Sequence, residues 1–285
     1  MQNLWVGKTD YIHKKQSKVD AEFAINDGVF HIINSNISIE DVNFNLDGDI
    51  QNREVDLNIK AKNQQLKSVM LHTPEKFKSI YKTYTLEGNL NCNGTIKGVI
   101  GKTSNPHFNM DFDFSNANFK LKENSFHLSG LQLSGNIDNG STNNFEQTLI
   151  KVKNCSAKTG NGTLRGSFSV QNLNNYYLTT DINSNLDLAE VNHLFKSTPF
   201  FNMKGKLITN TKYSGNLAFS SKIKNHFLFG NHLSDVQLKD VEFHYKKFPL
   251  LFSFPNLKGQ IINDTLKLEN SEITIADSDF KFNGS

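Results

Sequence analysis

The stretch YTLEGNLNCNGTIKGVI, from Tyr84 to Ile100, alternates apolar residues with polar ones. A period of two places one side of a β-strand against apolar surroundings and the other side in water. Gly88, Gly94 and Gly98 fall among the apolar positions, as expected where a long sheet bends. The stretch therefore predicts a long, bent, amphipathic strand.

The glycine frame of this stretch occurs a second time. GNLNCNGTIKG begins at Gly88 and ends at Gly98, and GKLITNTKYSG begins at Gly205 and ends at Gly215. Both read Gly-x-Leu-x-x-Asn-x-x-x-x-Gly, and further matches follow in the same order before and after each copy. Self-similarity at a fixed spacing is the sequence signature of a repeated structural unit. We therefore predict a tandem repeat.

The repeat also predicts how the chain is organised. Residues 1–54 form a partial preceding β unit, 55–175 a first repeat of strand, helix and strands, and 176–285 a second repeat that is truncated at its C-terminus. The chain ends within Phe280-x-Phe282-x-Gly284. We interpret it as a fragment of a longer protein.

Period-two alternation continues through most of the chain, which favours an antiparallel sheet. Parallel strands that are buried on both faces would instead appear as continuous apolar runs. Four Asn-Gly or Asp-Gly pairs predict tight hairpin turns. These pairs are Asp27-Gly28, Asp47-Gly48, Asn139-Gly140 and Asn161-Gly162.

Two segments depart from the period of two and predict short amphipathic helices. The first covers about 64–82. Within it, Thr73 is a suitable helix N-cap and Pro74 a suitable first helical residue. The second covers about 187–196, where Asp187 and Glu190 have the spacing of a capping box. Each helix precedes one copy of the glycine frame.

These patterns predict a mainly β protein with a long, strongly curled antiparallel sheet and two short helices. Two short helices cannot cover its apolar face, so that face must fold on itself, pack on a second sheet or hold a non-protein ligand. We predict that it forms an open groove for acyl chains. The predicted lining residues are Tyr84, Leu86, Leu90, Ile96, Phe108, Met110, Phe112, Phe114, Phe201, Met203, Leu207, Phe252 and Phe254.

Composition excludes several classes of protein. The chain has 285 residues, 37% of them hydrophobic, which is too apolar for a disordered protein and too polar for a helical membrane protein. Its net charge of +3 comes from interspersed charges of both signs, so no nucleic-acid partner is expected. Cys92 and Cys155 could form a disulfide, but their positions in the sequence do not decide whether they pair.

No pattern in the sequence indicates catalysis. His226, His232 and His244 lack the spacing of a common metal site, and no cysteine cluster joins them. The carboxylates of Asp111 and Asp113 share a strand face, as do those of Asp277 and Asp279, which is typical of the wet side of an amphipathic strand. Nucleophile-elbow, phosphate-loop and dinucleotide motifs are absent from the sequence. We predict no enzymatic activity, no cofactor and no metal site.

Most of the chain resembles the AsmA-like proteins of Gram-negative bacteria, especially the large forms of Bacteroidetes. The resemblance rests on a helix that opens with Asp187-Leu188, on MKGKLITNTKYSG, and on FPNLKGQIINDTLKLENSEITIADSDFKFNGS. The closing Ser278-Asp279-Phe280-x-Phe282-x-Gly284 looks like a recurring element of that family. The first copy, with GNGTLRGS, keeps only the glycine frame.

The resemblance implies a function in lipid transport. AsmA-like proteins are similar to bridge-like lipid transfer proteins, in which a curled β-sheet forms an apolar groove. Membership would make this chain a periplasmic segment of an outer-membrane biogenesis protein that conducts phospholipid between the inner and outer membranes. The family's N-terminal inner-membrane anchor helix is absent from the chain, and the family has no catalytic residues to assign.

Two alternative architectures remain open at the level of sequence. A structural or adhesive β-solenoid would stack its asparagines around a closed core, but its repeat would be shorter than the spacing between Gly88 and Gly205. An outer-membrane β-barrel would also alternate, but frequent charges interrupt the candidate lipid-facing bands.

Overall fold

The computed structural model describes residues 3–6, 9–13, 16–72, 83–101, 104–122, 126–191, 199–216 and 230–285. Strands dominate this part of the chain, and the helices are short. The strands are β1 Asn3–Val6, β2 Thr9–His13, β3 Ser17–Asn26, β4 Val29–Ile39, β5 Val42–Gln51, β6 Glu54–Gln65, β7 Tyr84–Val99, β8 His107–Leu121, β9 His127–Asp138, β10 Leu149–Thr159, β11 Gly162–Gln171, β12 Tyr177–Asp187, β13 Phe200–Asn216, β14 Asn231–Tyr245, β15 Phe248–Ile262, β16 Thr265–Ile275 and β17 Ser278–Gly284. The helices are α1 Leu66–Leu71 and α2 Leu188–Val191.

Strands β3 to β17 form one 15-stranded sheet in which neighbours in the chain are neighbours in the sheet. The order begins at β3 and ends at β17, and the sheet does not close. Strands β1 and β2 pair separately as a two-stranded hairpin. The prediction of a mainly antiparallel β fold is confirmed. The tandem repeat and its boundaries stay predictions.

The chain divides into two compact units. Unit 1 contains Met1–Phe119, Gln132–Val152 and Gln171–Asn174. Unit 2 contains Lys120–Leu131, Lys153–Val170 and Asn175–Ser285.

Both predicted helical segments contain a helix, and each helix follows a strand directly. Leu66 and Leu188, the first helical residue in each case, are buried. Helix α1 packs against β6 and β7, and α2 packs against β12 and β13. The predicted cap at Thr73-Pro74 and the end of the second segment, 192–196, lie outside the described residues.

Side-chain hydrogen bonds hold helix α2 in place. In α2 the backbone N–H of Ala189 donates to Asp187 Oδ1 at 2.9 Å, as expected of an N-cap. Glu190 does not complete the predicted capping box, because its Oε1 accepts from the backbone N–H of Asn161 at 3.0 Å. That bond ties α2 to the turn between β10 and β11.

Of the four predicted turn pairs, Asp27-Gly28 is confirmed and the other three are corrected. Asp27-Gly28 forms the β3–β4 turn, and both residues have positive φ. Asp47-Gly48 lies inside β5 instead. There Gly48 has a positive φ of +128°, and its backbone packs against Leu57 of β6. The β5–β6 turn is made by Asn52-Arg53, with φ values of 49° and 70°. Asparagine tolerates such angles, but an Asn-Arg pair is a weak sequence signal.

Asn139-Gly140 does not form a tight hairpin turn but begins the longer connection 139–148 between β9 and β10. The β10–β11 turn is made by Gly160-Asn161, and Gly162 is the first residue of β11.

Left-handed residues inside two strands shift the alternation of apolar positions. In β8 the apolar positions change from even to odd numbers at Asn116, and in β14 they do so at Asp240; both residues have φ of 51°. Such a residue forms a bulge that displaces the alternation by one. Beyond Asp240, Val241 pairs with Phe254, so apolar side chains still face apolar side chains on the next strand.

Candidate functional site

In unit 1 the register joins the apolar positions of neighbouring strands. Ile96 of β7 pairs with Leu57 of β6, and Leu57 also lies opposite Gly48 of β5. The apolar row continues through Ile32 to Phe23, at the β3 edge of the sheet. Since directly opposed residues share one face, five successive strands contribute to a continuous apolar face.

Strand β8 adds aromatic side chains to unit 1. The rings of Phe112 and Phe114 have centroids 5.9 Å apart. The ring of Tyr84 lies 5.0 Å from that of Phe119. A Cβ on Gly94 would lie 2.7 Å from the Cα of Met110, so this glycine allows close approach of β7 to β8.

In unit 2 a row of leucines crosses four strands. Leu207 of β13 pairs with Leu186 of β12 on one side and with Leu238 of β14 on the other. Leu238 in turn pairs with Leu257 of β15. Four branched aliphatic side chains therefore lie side by side on one face of the sheet.

Nearer the β14–β15 turn, unit 2 carries an aromatic cluster. The rings of Phe243 and Phe252 are stacked with centroids 5.2 Å apart and an interplanar angle of 5°. Phe254 lies 5.8 Å from Phe243, and Phe200 lies 4.9 Å from it in an edge-on arrangement. Offset stacks and edge-on contacts are the geometries that aromatic pairs prefer.

Phe201 is separated from this cluster. Its ring stacks on His244 at 5.2 Å, and the two residues are paired across β13 and β14. Because Phe243 and His244 are consecutive in a strand, their side chains point to opposite faces. Phe200, which the sequence pattern did not select, takes the place expected for Phe201. The left-handed Asn202 explains this, since it shifts the alternation between Phe200 and the residues that follow.

All thirteen predicted lining residues are half-buried; none is fully buried and none is fully exposed. Eight of them lie in unit 1 and five in unit 2. Tyr84, Leu86, Leu90, Ile96, Phe108, Met110, Phe112 and Phe114 belong to unit 1, and Phe201, Met203, Leu207, Phe252 and Phe254 to unit 2. Ile96, Leu207, Phe252 and Phe254 pair with apolar positions of a neighbouring strand, whereas Leu90 pairs with the polar Gln64.

The opening glycines of the two frames have similar surroundings. Gly88 has φ of +118° and its backbone meets Ala117, which follows the left-handed Asn116. Gly205 has φ of +97° and its backbone meets Val241, which follows the left-handed Asp240.

The closing glycines of the frames differ. Gly98 has a positive φ of +113°, whereas Gly215 is needed for space, because a Cβ there would lie 2.6 Å from Tyr213 Oη. Burial raises the pKa of the Tyr213 phenol. The two frames therefore match at their first glycine and diverge at their last.

A cavity of about 550 Å³ lies on the polar side of the sheet in unit 2. Its lining crosses β11 to β16, and the paired polar positions Asn183, Asn210, Asp235 and Gln260 mark the middle of it. The Gln260 amide donates to Asp235 Oδ1 at 2.8 Å. None of the thirteen predicted acyl-lining residues borders this cavity. Its amides and charges can form hydrogen bonds with a hydrophilic molecule, although Ile208 and Val236 also border the cavity.

Several of the carboxylates and histidines noted in the sequence form hydrogen bonds within the sheet. Asp113 accepts from the Asn91 amide at 2.8 Å, and Asp279 accepts from the Thr274 hydroxyl at 2.7 Å. His232 hydrogen-bonds Ser234 at 2.7 Å, while His226 lies outside the described residues. Within the described ranges, no three histidine, cysteine, aspartate or glutamate side chains are grouped so that they could hold a metal ion.

Both cysteines are free and half-buried. Burial raises the pKa of the Cys92 thiol and that of the Cys155 thiol. A raised pKa keeps the thiol protonated near neutral pH, so neither is an activated nucleophile.

Among the helices that the structure describes, none has the length and apolarity needed to cross a membrane. No protein-family profile, curated protein or solved structure matches this chain.

Proposed function

We propose that this chain is a lipid-binding β element whose apolar strand faces hold acyl chains. In this proposal it is a periplasmic segment of an AsmA-like protein that carries phospholipid between the inner and outer membranes. It acts without catalysis and without a cofactor. Further parts of such a protein, beyond this chain, would also contact the two membranes.

The exposure of the phenylalanines is the observation that carries the proposal. Not one phenylalanine in the described part of the chain is fully buried. The apolar side chains that are buried there are aliphatic, such as Val55, Leu57 and Val241, apart from the single tyrosine Tyr213. A closed core of this size would bury its phenylalanines first, because they remove the most apolar area from water. Half-buried aromatic faces fit a surface that an apolar ligand completes.

The energetics agree with an acyl ligand. Each methylene moved from water to apolar surroundings contributes about 0.8 kcal/mol. Contact with only part of an acyl chain therefore suffices to hold a lipid. The leucine row and the aromatic cluster of unit 2, and the five-strand apolar face of unit 1, each offer a surface wide enough for such contact.

The glycines on the apolar side support a strongly curled sheet and a repeated unit. Gly88, Gly94 and Gly205 leave space on this face, and their backbones closely approach the next strand. Glycines at such positions promote bending towards the face that lacks side chains. The matching surroundings of Gly88 and Gly205 favour a common origin for the two halves.

Photocrosslinking at Phe112 tests the proposal. A photoreactive amino acid replaces Phe112 in the chain, which is expressed in a Gram-negative host with labelled phospholipid, and adducts are identified by mass. We expect a lipid adduct at this position. The matched control places the same amino acid at Asp111, the exposed neighbour on the opposite face of β8, where we expect no adduct.

The variant Phe112→Glu separates an open face from a closed core. On an open face the carboxylate reaches water, so the thermal midpoint falls only slightly while lipid adducts at a second lining position disappear. In a closed core the change would bury an unpaired charge and unfold the unit. Absence of adducts together with a collapsed thermal midpoint would refute the proposal and favour a structural β protein.

A further inference from the structure

The hairpin between β14 and β15 carries an apolar tip that the groove does not explain. Its sequence, Lys246-Lys247-Phe248-Pro249-Leu250-Leu251, does not alternate. A strand with apolar residues at consecutive positions normally has both faces covered. Here the exposed fractions are 62% for Phe248, 48% for Leu250 and 40% for Leu251. We name these six residues the β14–β15 tip.

The tip is held in a defined geometry. The Phe248 ring stacks on Tyr245 with centroids 6.2 Å apart. The backbone N–H of Lys246 donates to the Pro199 carbonyl at 2.8 Å, and that of Ala276 donates to the Leu251 carbonyl at 2.9 Å. The apolar side chains are therefore presented by a hydrogen-bonded sheet end.

The apolar side chains of the tip point to both faces of the hairpin. Leu251 pairs with His244, whereas Phe252, the next residue, pairs with Phe243 on the opposite face. Leu250 lies two positions before Phe252 in the strand, so their side chains point to the same face. A groove on one face of the sheet would use only half of these side chains, but a medium that surrounds the tip would contact all of them.

The charges of the tip indicate which kind of surface it would contact. Lys246 and Lys247 are exposed and form no ion pair within the part of the chain that the structure describes. Two carboxylates lie on the adjoining sheet end, Asp277 in the β16–β17 turn and Asp279 at the start of β17, so the positive charge is local to the lysine pair of the tip. Exposed aromatic and aliphatic residues beside lysines match the chemistry of an anionic lipid surface, where rings and leucines enter the interface and lysines meet phosphate.

We propose that the β14–β15 tip docks on a membrane surface that contains anionic phospholipid. Phe248, Leu250 and Leu251 insert among the headgroups, and Lys246 and Lys247 bind lipid phosphates. This goes beyond the proposed acyl-binding faces, because docking of the tip requires no lipid within the sheet.

Vesicle co-sedimentation tests the docking with the full chain. Vesicles of phosphatidylcholine alone are compared with vesicles that also contain phosphatidylglycerol, at low salt. We expect binding to the anionic vesicles, and at least tenfold weaker binding for Lys246→Glu/Lys247→Glu. Phe248→Ser/Leu250→Ser should weaken binding by a similar factor, and circular dichroism should show that both variants fold.

A charge-matched control and a depth readout complete the test. Lys151→Glu/Lys153→Glu alters the same number of charges on exposed positions of β10 and should leave binding within about threefold. Tryptophan at Phe248, with Trp5 changed to Phe, should shift its emission to shorter wavelength when anionic vesicles are added. Loss of binding in the Lys151/Lys153 control, or no shift at position 248, would overturn the proposal.

The vesicle experiment and the crosslinking experiment test the two proposals separately. If the chain does not bind vesicles but lipid adducts still form at Phe112, membrane docking of the tip is refuted and the lipid-binding proposal is not affected. Self-association that Phe248→Ser/Leu250→Ser abolishes, without any vesicle binding, would instead assign the tip to protein contact and overturn docking.

Discussion

A Cβ atom on Gly205 would lie 2.7 Å from the Cα of Val241, on the neighbouring strand. Val241 is only 1% exposed, and Gly205 has φ of +97°. Backbone conformation and lack of space therefore both require glycine here. The same relationship exists between Gly88 and Ala117, where the corresponding distance is 2.5 Å.

We expect Gly205→Ala to destabilise the chain strongly. A non-glycine residue in this backbone region costs about 1–3 kcal/mol, and the overlap with the Val241 backbone adds a similar amount. Chemical denaturation measures the change in the free energy of unfolding. Gly28→Ala is the matched control, because Gly28 has φ of +76° but open space around it. Its free energy of unfolding should therefore fall only by the cost of the backbone conformation. Equal losses in the two variants would contradict the steric argument.

The stacked pair Phe243 and Phe252 should show a favourable coupling energy. Removing either ring leaves the other without its partner, so a double-mutant cycle with alanine should give about 0.5–1.5 kcal/mol. The pair Phe23 and Phe30, also stacked at 5.0 Å, serves as comparison. Phe23 is exposed at the sheet edge, so solvent should weaken its coupling. A Phe243–Phe252 coupling near zero would mean that the stack contributes nothing beyond area burial.

Asp187→Ala should destabilise unit 2 by about 1 kcal/mol, because it removes the oxygen that accepts from Ala189 N–H at the start of α2. Asp187→Asn keeps an acceptor and should recover most of the loss. The free energy of unfolding of the two variants checks this. If Asn fails to recover stability, the carboxylate acts through its charge and not as a cap.

Stability should depend on Asp41 at acidic pH. Hydrogen bonds from the Ser68 hydroxyl and then from His72, at 3.1 Å, lower the pKa of the Asp41 carboxyl. A lowered folded pKa means that ionised Asp41 stabilises the folded state fully above the ordinary carboxyl value of about 4. That contribution is lost as the pH falls from there through the folded pKa.

The measurement is the urea midpoint between pH 7 and pH 2. Asp41→Asn should lower the midpoint at pH 7 and flatten its decline in acid relative to the parent chain. Asp20→Asn, on the exposed side of β3, removes the same charge without breaking a helix contact and should leave the profile nearly unchanged. An unchanged profile for Asp41→Asn would show that the docking of α1 does not depend on the carboxylate.

Local pattern predicted the strands better than the turns. Alternation along Tyr84–Ile100 and along the later strands identified an antiparallel β protein, because successive side chains of a regular strand point to opposite faces. Asp47-Gly48 was assigned to a turn and lies inside β5, where Leu57 of β6 takes the space beside Gly48. That contact joins two strands, so no local signal reports it.

The candidate site shows the same limit. Leu207, Phe252 and Phe254 pair with apolar positions of the next strand. Phe201 instead pairs with His244 and points to the face away from Phe243, because of the bulge at Asn202. The exposed β14–β15 tip was also missed. In the sequence its apolar run extends an alternating strand, and only the exposed fractions distinguish it from a buried one.

By itself the sequence determined the alternating strands, the antiparallel connectivity and the positions where two helices begin, since these depend on contacts between residues close in the chain. Tertiary structure alone decided the pairing of Leu186, Leu207, Leu238 and Leu257, and the half-buried state of the phenylalanines. The physical reason is that register and burial depend on the strands that arrive from elsewhere. A single left-handed residue such as Asp240 moves every following side chain to the other parity, and its effect is defined only relative to the neighbouring strand.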